Sequence, residues 1–353
     1  MLQSVLPATK GFTVALVLVV VTVPLVRKLS ARLRLFDQPG KLKIHSQPTS
    51  RLGGVAIVLA LIAGTLSAVP TIGIVLLFLS AALAIVWVTG ALDDMRGLSP
   101  QTRLLAQTSG GIFLYLAGWR VWPSDSGAVA AAASCIWVVL FVNAFNFLDG
   151  ADGLAAGTSA VIALAYIIFP GAALDATGNA IAWSLLGTCT GFLFFNFPPA
   201  KIFMGDSGST VLGFSVAFLG LDFAARQGSV RSTMGNNSLL CGALIFPLLI
   251  AALPLVDAVT VVLRRLINGQ SPFHGDRRHS YDFLLASGCT QKRVAISCYL
   301  LTGLLGAVGW LASHAEFRLG ATLAFATMAM LVLAATWLGS LPPQESQKRH
   351  HRA

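Results

Sequence analysis

Charge is what this sequence has least of: Asp, Glu, Lys and Arg make up 11% of its 353 residues, while 56% are hydrophobic. With a mean hydropathy of +0.77, this excludes an ordinary soluble domain, in which about a quarter of residues are charged. Cysteine is also scarce, and Cys135, Cys189, Cys241, Cys289 and Cys298 are scattered. They show neither metal-ligand spacing nor a disulfide framework and read as small apolar packing residues in a reducing setting. Repeats of fixed period are lacking, and no polar stretch is long enough to form a second domain. Residues 1–353 therefore read as a single polytopic membrane domain, with 341–353 as a short basic tail.

What is abundant is the uncharged run. Gly11 to Val26, Leu104 to Trp119, Ser126 to Leu148, Gly153 to Leu174, Ala176 to Ala200, Ser207 to Leu221, Ser232 to Val256, Val294 to Ala315 and Leu319 to Gln344 each supply one membrane span. The 41 residues from Leu52 to Leu92 also lack charge, and Pro70 and Gly73 divide them into two spans. The expected fold is all-α, with about eleven transmembrane helices. The first run is preceded only by Lys10 and followed by no small-residue cleavage pattern, so it reads as a retained span.

Lys and Arg are retained on the cytoplasmic side of membranes. With eleven spans, 19 of them fall on one side, in the loops around Arg27 to Arg51 and Arg264 to Arg293 above all, and 5 on the other. This places the N-terminus outside and the tail in the cytoplasm. The net charge of +10 then lies where anionic headgroups and phosphorylated substrates are found, and nucleic acid does not explain it.

Nine of the 14 acidic residues fall on the same face, four on the opposite one, and Asp257 inside a span. Five of the nine sit in glycine-rich settings at helix ends: GALDDMRGLSP (Asp93, Asp94), NFLDGADGLAAG (Asp149, Asp152) and FMGDSGST (Asp206). Each motif alone also fits a helix cap or a polar turn. Their joint occurrence on one face points to a cytoplasmic cleft of dense negative charge, which requires a cation. Carboxylates without Cys or His ligands suit a hard ion such as Mg²⁺, completed by phosphate oxygens and water. Lys41, Lys43, Arg51, Lys201, Arg277 and Arg278 would complement phosphates, and His45, His274 and His279 lie in the same loops. A membrane enzyme acting on a diphosphate or nucleotide fits. The competing class is a transporter or flippase for an anionic or lipid-linked substrate, but transporters concentrate charge near the midplane and show internal repeats.

In order along the chain, DQPGKLKIHSQPTSRLGG, GALDDMRGLSP, NAFNFLDGADGLAAG, FNFPPAKIFMGDSGST, PLVD and SPFHGDRRHSYDFLL resemble the polyprenyl-phosphate N-acetylhexosamine-1-phosphate transferases. The resemblance covers nearly the whole chain. It implies a helical bundle in the inner membrane, often dimeric, that transfers HexNAc 1-phosphate from a UDP-HexNAc donor to polyprenyl (undecaprenyl) phosphate and releases UMP. Mg²⁺ is the implied cofactor, with Mn²⁺ as an alternative. It further implies Asp206 as chief metal ligand with Asp94 assisting, Asp93 and Asp94 beside the lipid phosphate, and Asp149 and Asp152 on the nucleotide and diphosphate side. Asn146, Asn196, Lys43 and, stacked on uracil, Phe203 complete the substrate contacts. The last loop departs from the family, which carries a histidine cluster there. Only His279 remains, followed by Ser280, Tyr281 and Asp282, leaving His279, Arg277 and Arg278 for the diphosphate. This argues against a muramoyl-pentapeptide donor and for a small UDP-HexNAc, a 6-deoxy sugar among the candidates, with Tyr281 available to line its pocket.

Overall fold

In the computed structural model, the described residues are 2–33, 36–37, 48–69, 71, 73–121, 127–169, 174–232, 241–273 and 278–340. Almost all of them are helical: α1 (Leu2–Leu33), α2 (Gly53–Ala68), α3 (Ile74–Arg96), α4 (Pro100–Leu116), α5 (Ala128–Leu148), α6 (Leu154–Ile168), α7 (Ala176–Asn196), α8 (Gly205–Ser232), α9 (Ile245–Ile250), α10 (Ala252–Ile267), α11 (Ser280–Ala286), α12 (Gln291–His314) and α13 (Phe317–Ser340). Two antiparallel strands of two residues each, β1 (Phe36–Asp37) and β2 (Thr49–Ser50), pair Phe36 with Ser50 and Asp37 with Thr49.

Seven helices are long and apolar enough to cross a membrane, and α2 and α6 are shorter apolar helices. The chain is thus a multi-pass membrane protein, although a count of eleven spans goes beyond what these lengths establish. The 41-residue run divides where expected, with α2 ending at Ala68 and Gly73 capping α3 in an extended conformation. The run ending at Val256 behaves differently. A 3₁₀ turn leads into the six-residue α9, the chain breaks at Ala251, and α10 continues to Ile267. Asp257 therefore lies early in α10, and Arg264 and Arg265 belong to that helix rather than to a loop.

Helix α8 is the centre of the bundle, packed against α2, α3 and α5. Its apolar window is 94% buried, against 6% for α13 at the periphery. Large aromatic side chains, among them Phe141, Phe145, Phe214 and Phe218, fill the space around it. The outward faces are apolar as well: Val17, Val21 and Leu25 on α1, Leu300 and Leu304 on α12, and Phe325 and Leu333 on α13 are exposed. Such a surface suits a bilayer and not water. One acid assigned to the face opposite the cleft, Asp222, is instead buried inside α8. It accepts hydrogen bonds from the Trp119 indole at 3.0 Å and the Asp175 amide at 3.0 Å.

Candidate active site

The site is built around the N-terminus of α8. Gly205 adopts φ +67°, a left-handed conformation that glycine enters freely, and a Cβ there would lie 2.6 Å from the Asp94 carboxylate. That close approach lets Asp94, in the last turns of α3, cap α8. Its two oxygens accept from Asp206 N (2.8 Å), Ser207 N (3.0 Å) and Ser207 Oγ (2.8 Å). An acidic cap of this kind contributes about 1 kcal/mol and fixes the rotation of the helix. Asp206, in the first turn of α8, is thereby aimed at the neighbouring helix ends.

Asp93 is held by the Leu98 amide and by Arg103 at 3.1 Å. Its carboxyl lies close to that of Asp206. Arg103 reaches Asp206 at 3.8 Å. Asn146 lies alongside, donating to Ser209 Oγ at 3.2 Å. Behind these groups Asp93, Arg103, Asn146 and Asp206 border a small chamber of about 20 Å³.

In front of them opens a cleft of about 740 Å³, lined by Asp94, Asn146, Asp149, Asp152, Asn196, Phe203, Asp206 and His279 among others. Asp149, the residue that ends α5, faces this cleft and makes no hydrogen bond or ion pair with the described residues through its side chain. Burial holds its carboxyl well above the ordinary carboxylate range, and the nearby Asp206, Asp94 and Asp152 charges push the same way, against a smaller opposing effect of Arg51.

Several expected contact residues act through the backbone. Asp152 Oδ2 accepts from Ala200 N at 2.9 Å. The buried Asn196 accepts from Gly153 N at 3.0 Å and donates to Ile202 O at 2.9 Å, so it ties the loop after α5 to the loop before α8. Phe203 is fixed between two segments, its amide donating to Ser50 O at 2.8 Å and its carbonyl accepting from Gly53 N at 3.0 Å. The ring remains at the cleft.

On the opposite wall His279 is buried, with its ring stacked on Tyr281 and edge-on to Phe147. The Tyr281 hydroxyl donates to Phe147 O at 3.1 Å. A Cβ on Gly150 would fall 1.8 Å from that hydroxyl, so glycine at 150 is what lets the tyrosine dock. Tyr281 is therefore a strut between α11 and the end of α5, and its hydroxyl already has a partner other than a sugar. Arg278 is exposed and outside the lining. Lys41, Lys43, His45, His274 and Arg277 lie outside the described residues.

Two arginines at the cleft were not singled out from the sequence. Arg103 sits between Asp93 and Asp206. Arg265 is buried, donates to Pro272 O at 2.8 Å and lies 5.4 Å over the Phe147 ring. The available signal for Arg265 was its spacing of eight residues from Asp257, which puts both on one face of a helix.

Fold and site together define a multi-pass α-helical membrane protein with an acidic cleft at its helix ends. The comparisons make the class specific. Residues 75–224 match the model of glycosyl transferase family 4. The probable undecaprenyl-phosphate N-acetylglucosaminyl 1-phosphate transferase of Bacillus subtilis (strain 168) is 30% identical over 306 residues, covering 82% of this chain and 81% of that protein. The decaprenyl-phosphate N-acetylglucosaminephosphotransferase of Mycobacterium tuberculosis (strain ATCC 25618 / H37Rv) is 32% identical over 327 residues, covering 84% and 80%. The undecaprenyl-phosphate alpha-N-acetylglucosaminyl 1-phosphate transferase of Escherichia coli (strain K12) is 29% identical over 317 residues, covering 82% and 80%. The chain belongs to this family of polyprenyl-phosphate sugar-1-phosphate transferases.

Proposed function

We propose that the protein transfers N-acetylglucosamine 1-phosphate from UDP-GlcNAc to a polyprenyl phosphate and releases UMP. The observation that carries this reading is the shape of the cleft. One end gathers Asp206, Asp149 and Asp94, while the wall formed by Val139, Leu140, Val259 and Leu263 is apolar. A charged diphosphate and an isoprenoid chain need such a pair of surfaces side by side. The printed names of the relatives specify N-acetylglucosamine, which favours that donor over a 6-deoxy sugar.

Mg²⁺ is the proposed cofactor, with Mn²⁺ as an alternative. Among the described residues no three His, Cys, Asp or Glu side chains form a ready-made cage. Mg²⁺ does not need one, because it keeps waters and is completed by substrate phosphates. The donor set fits this mode: the Asp93 and Asp206 carboxyls lie close together, and a cation relieves the repulsion between them. Asp206 and Asp93 would hold the ion and Asp94 would support it by fixing α8; when bound, it neutralises charge on the diphosphate. Phe203 offers a face for uracil. Asn146 and Asp149 address the nucleotide side, and Arg51 and Arg103 address anionic oxygens. An oxygen of the lipid phosphate attacks the β-phosphorus as the bond to the UMP oxygen breaks. A phosphate monoester has a second pKa near 6, so no strong base is needed, and the protein's task is to position and to neutralise. The cleft is assigned to the cytoplasmic face of the inner membrane on the basic-residue bias.

The test is UMP release by purified protein from UDP-GlcNAc and undecaprenyl phosphate with Mg²⁺. Lipid-dependent UMP is the expected result. Folded protein that releases none from any UDP-HexNAc overturns the reading and returns the transport class to first place.

A further inference from the structure

Asp257 is a carboxylate buried in α10 with no place in the chemistry above, and its surroundings are specific. His279 Nδ1 lies 2.7 Å from Asp257 Oδ2. Asp257 Oδ1 accepts from the Ser280 amide at 2.7 Å and the Ser280 hydroxyl at 2.6 Å. Three donors converge on a group that is 4% exposed, on a partner that is 6% exposed. The imidazole is also clamped by contacts that set its plane: it stacks on Tyr281 at 5.3 Å with 4° between planes and meets Phe147 edge-on at 5.4 Å. The backbone is fixed too, since His279 N donates to Asp282 Oδ2 at 3.2 Å.

A carboxylate accepts and does not donate, so Nδ1 carries the proton in this pair. The other ring nitrogen is not one of the fully buried unpaired atoms of the described residues, and the residue borders the cleft. Nε2 is thus the atom presented to whatever occupies the cleft.

We infer that Asp257 is a positioning residue: it fixes the tautomer and plane of His279, so that Nε2 of the ring faces the donor diphosphate and, in the doubly protonated ring, donates to a phosphoryl oxygen. The inference builds on the transferase reading and deepens it. No proton changes hands in this role. The hydrogen bond strengthens as negative charge gathers on the departing UMP, which is where such a donor accelerates the reaction. Ser280 supplies the second half of the device, because its two hydrogen bonds satisfy the carboxylate oxygen that the histidine does not reach. The apparent departure from the family's histidine cluster then has a local sense, with serine at 280 serving Asp257.

Two readouts test this. The first is a double-mutant cycle on UMP release, with thermal stability measured for every variant. Asp257→Asn should lower kcat roughly ten- to hundredfold with a smaller change in the KM for UDP-GlcNAc, and Asp257→Glu should recover part of it. In a His279→Ala background, Asp257→Asn should cost less than about twofold. Losses that multiply would show that Asp257 does not act through His279 and would overturn the inference while leaving the transferase reading intact. The second readout is independent of turnover: ¹⁵N spectra of histidine-labelled protein, with the His279 signal assigned by its loss in His279→Ala. A protonated Nδ1 that shifts in Asp257→Asn supports the inference. An unprotonated Nδ1 in the wild type refutes it, whatever the activity assay shows.

Discussion

Helix α8 carries one carboxylate in its first turn and another more than four turns further on, and the two are treated differently. Asp206 and Asp222 are 16 positions apart, about 24 Å along a helix. At the further position Asp222 is 1% exposed and its oxygens accept from the Trp119 indole and the Asp175 amide. Asp175 in turn caps α7 through Gly178 N and pairs with Arg226 at 3.5 Å. Every acceptor there has a donor, and the knot ties the end of α4, the start of α7 and α8 together. At the near end Asp206 lies close to the Asp93 carboxyl, faces Asp149 across the cleft and has Arg103 only at 3.8 Å. Satisfied charge makes scaffold, whereas under-compensated charge at a cleft is what the proposed cation and substrate would neutralise.

The comparison breaks most decisively at Asp206. Asp206→Asn should reduce UMP release by at least about a thousandfold while leaving the melting temperature of metal-free protein unchanged or raised, because the repulsion it removes outweighs the 3.8 Å contact with Arg103. A variant that melts early, as expected of changes at Asp222, would place Asp206 in the scaffold. Next in size is Asp222→Ala, which strands the Trp119 and Asp175 N–H groups. Each orphan costs roughly 1–3 kcal/mol, so this variant should melt several degrees lower, and its folded fraction should keep turnover within a few-fold of wild type.

Asp149 sharpens the same contrast through pH. Its carboxyl is pushed well above the usual range by burial, then by the charges of Asp206 and Asp94. An acid whose native pKa is raised binds more protons folded than unfolded, so stability falls as pH rises. That stability is complete below the ordinary carboxylate pKa of about 4 and is lost as pH rises through the raised native value. In EDTA, melting temperature should therefore decline with pH over that window, and Asp149→Asn should flatten the decline while impairing turnover. An unchanged pH slope in Asp149→Asn would remove Asp149 from the uncompensated cluster. The smallest effect is expected from Tyr281→Phe, which loses the bond to Phe147 O. It should cost about 1 kcal/mol of stability with little change in the KM for donor, and a large rise in that KM would return Tyr281 to the sugar pocket.

Much of this was legible because the relevant signals are local. Uncharged runs mark helices, and Pro70 and Gly73 mark the division between α2 and α3. The DD, DGADG and GDSG motifs place carboxylates at helix ends wherever the chain folds as a bundle. What was not legible depends on contacts distant in sequence. The Asp94 cap on α8 spans 112 residues, and the pairing of Asp257 with His279 spans 22. Neither has a periodicity to betray it. Asp222 read as a loop acid because it directly follows an uncharged run, and the donors supplied by Trp119 and Asp175 explain how α8 can carry it inward. The break at Ala251 left no mark either, since an apolar run looks the same whether its helix is continuous or interrupted.

The near end of α8 is the proposed seat of a metal bound together with a diphosphate. Its most direct test is calorimetric binding of UDP-GlcNAc to wild-type protein and to Asp206→Asn, each with Mg²⁺ and with EDTA. The account predicts binding by wild type that weakens at least tenfold in EDTA, and binding by Asp206→Asn that is weak and indifferent to the metal. Equal affinity in all four conditions would contradict it.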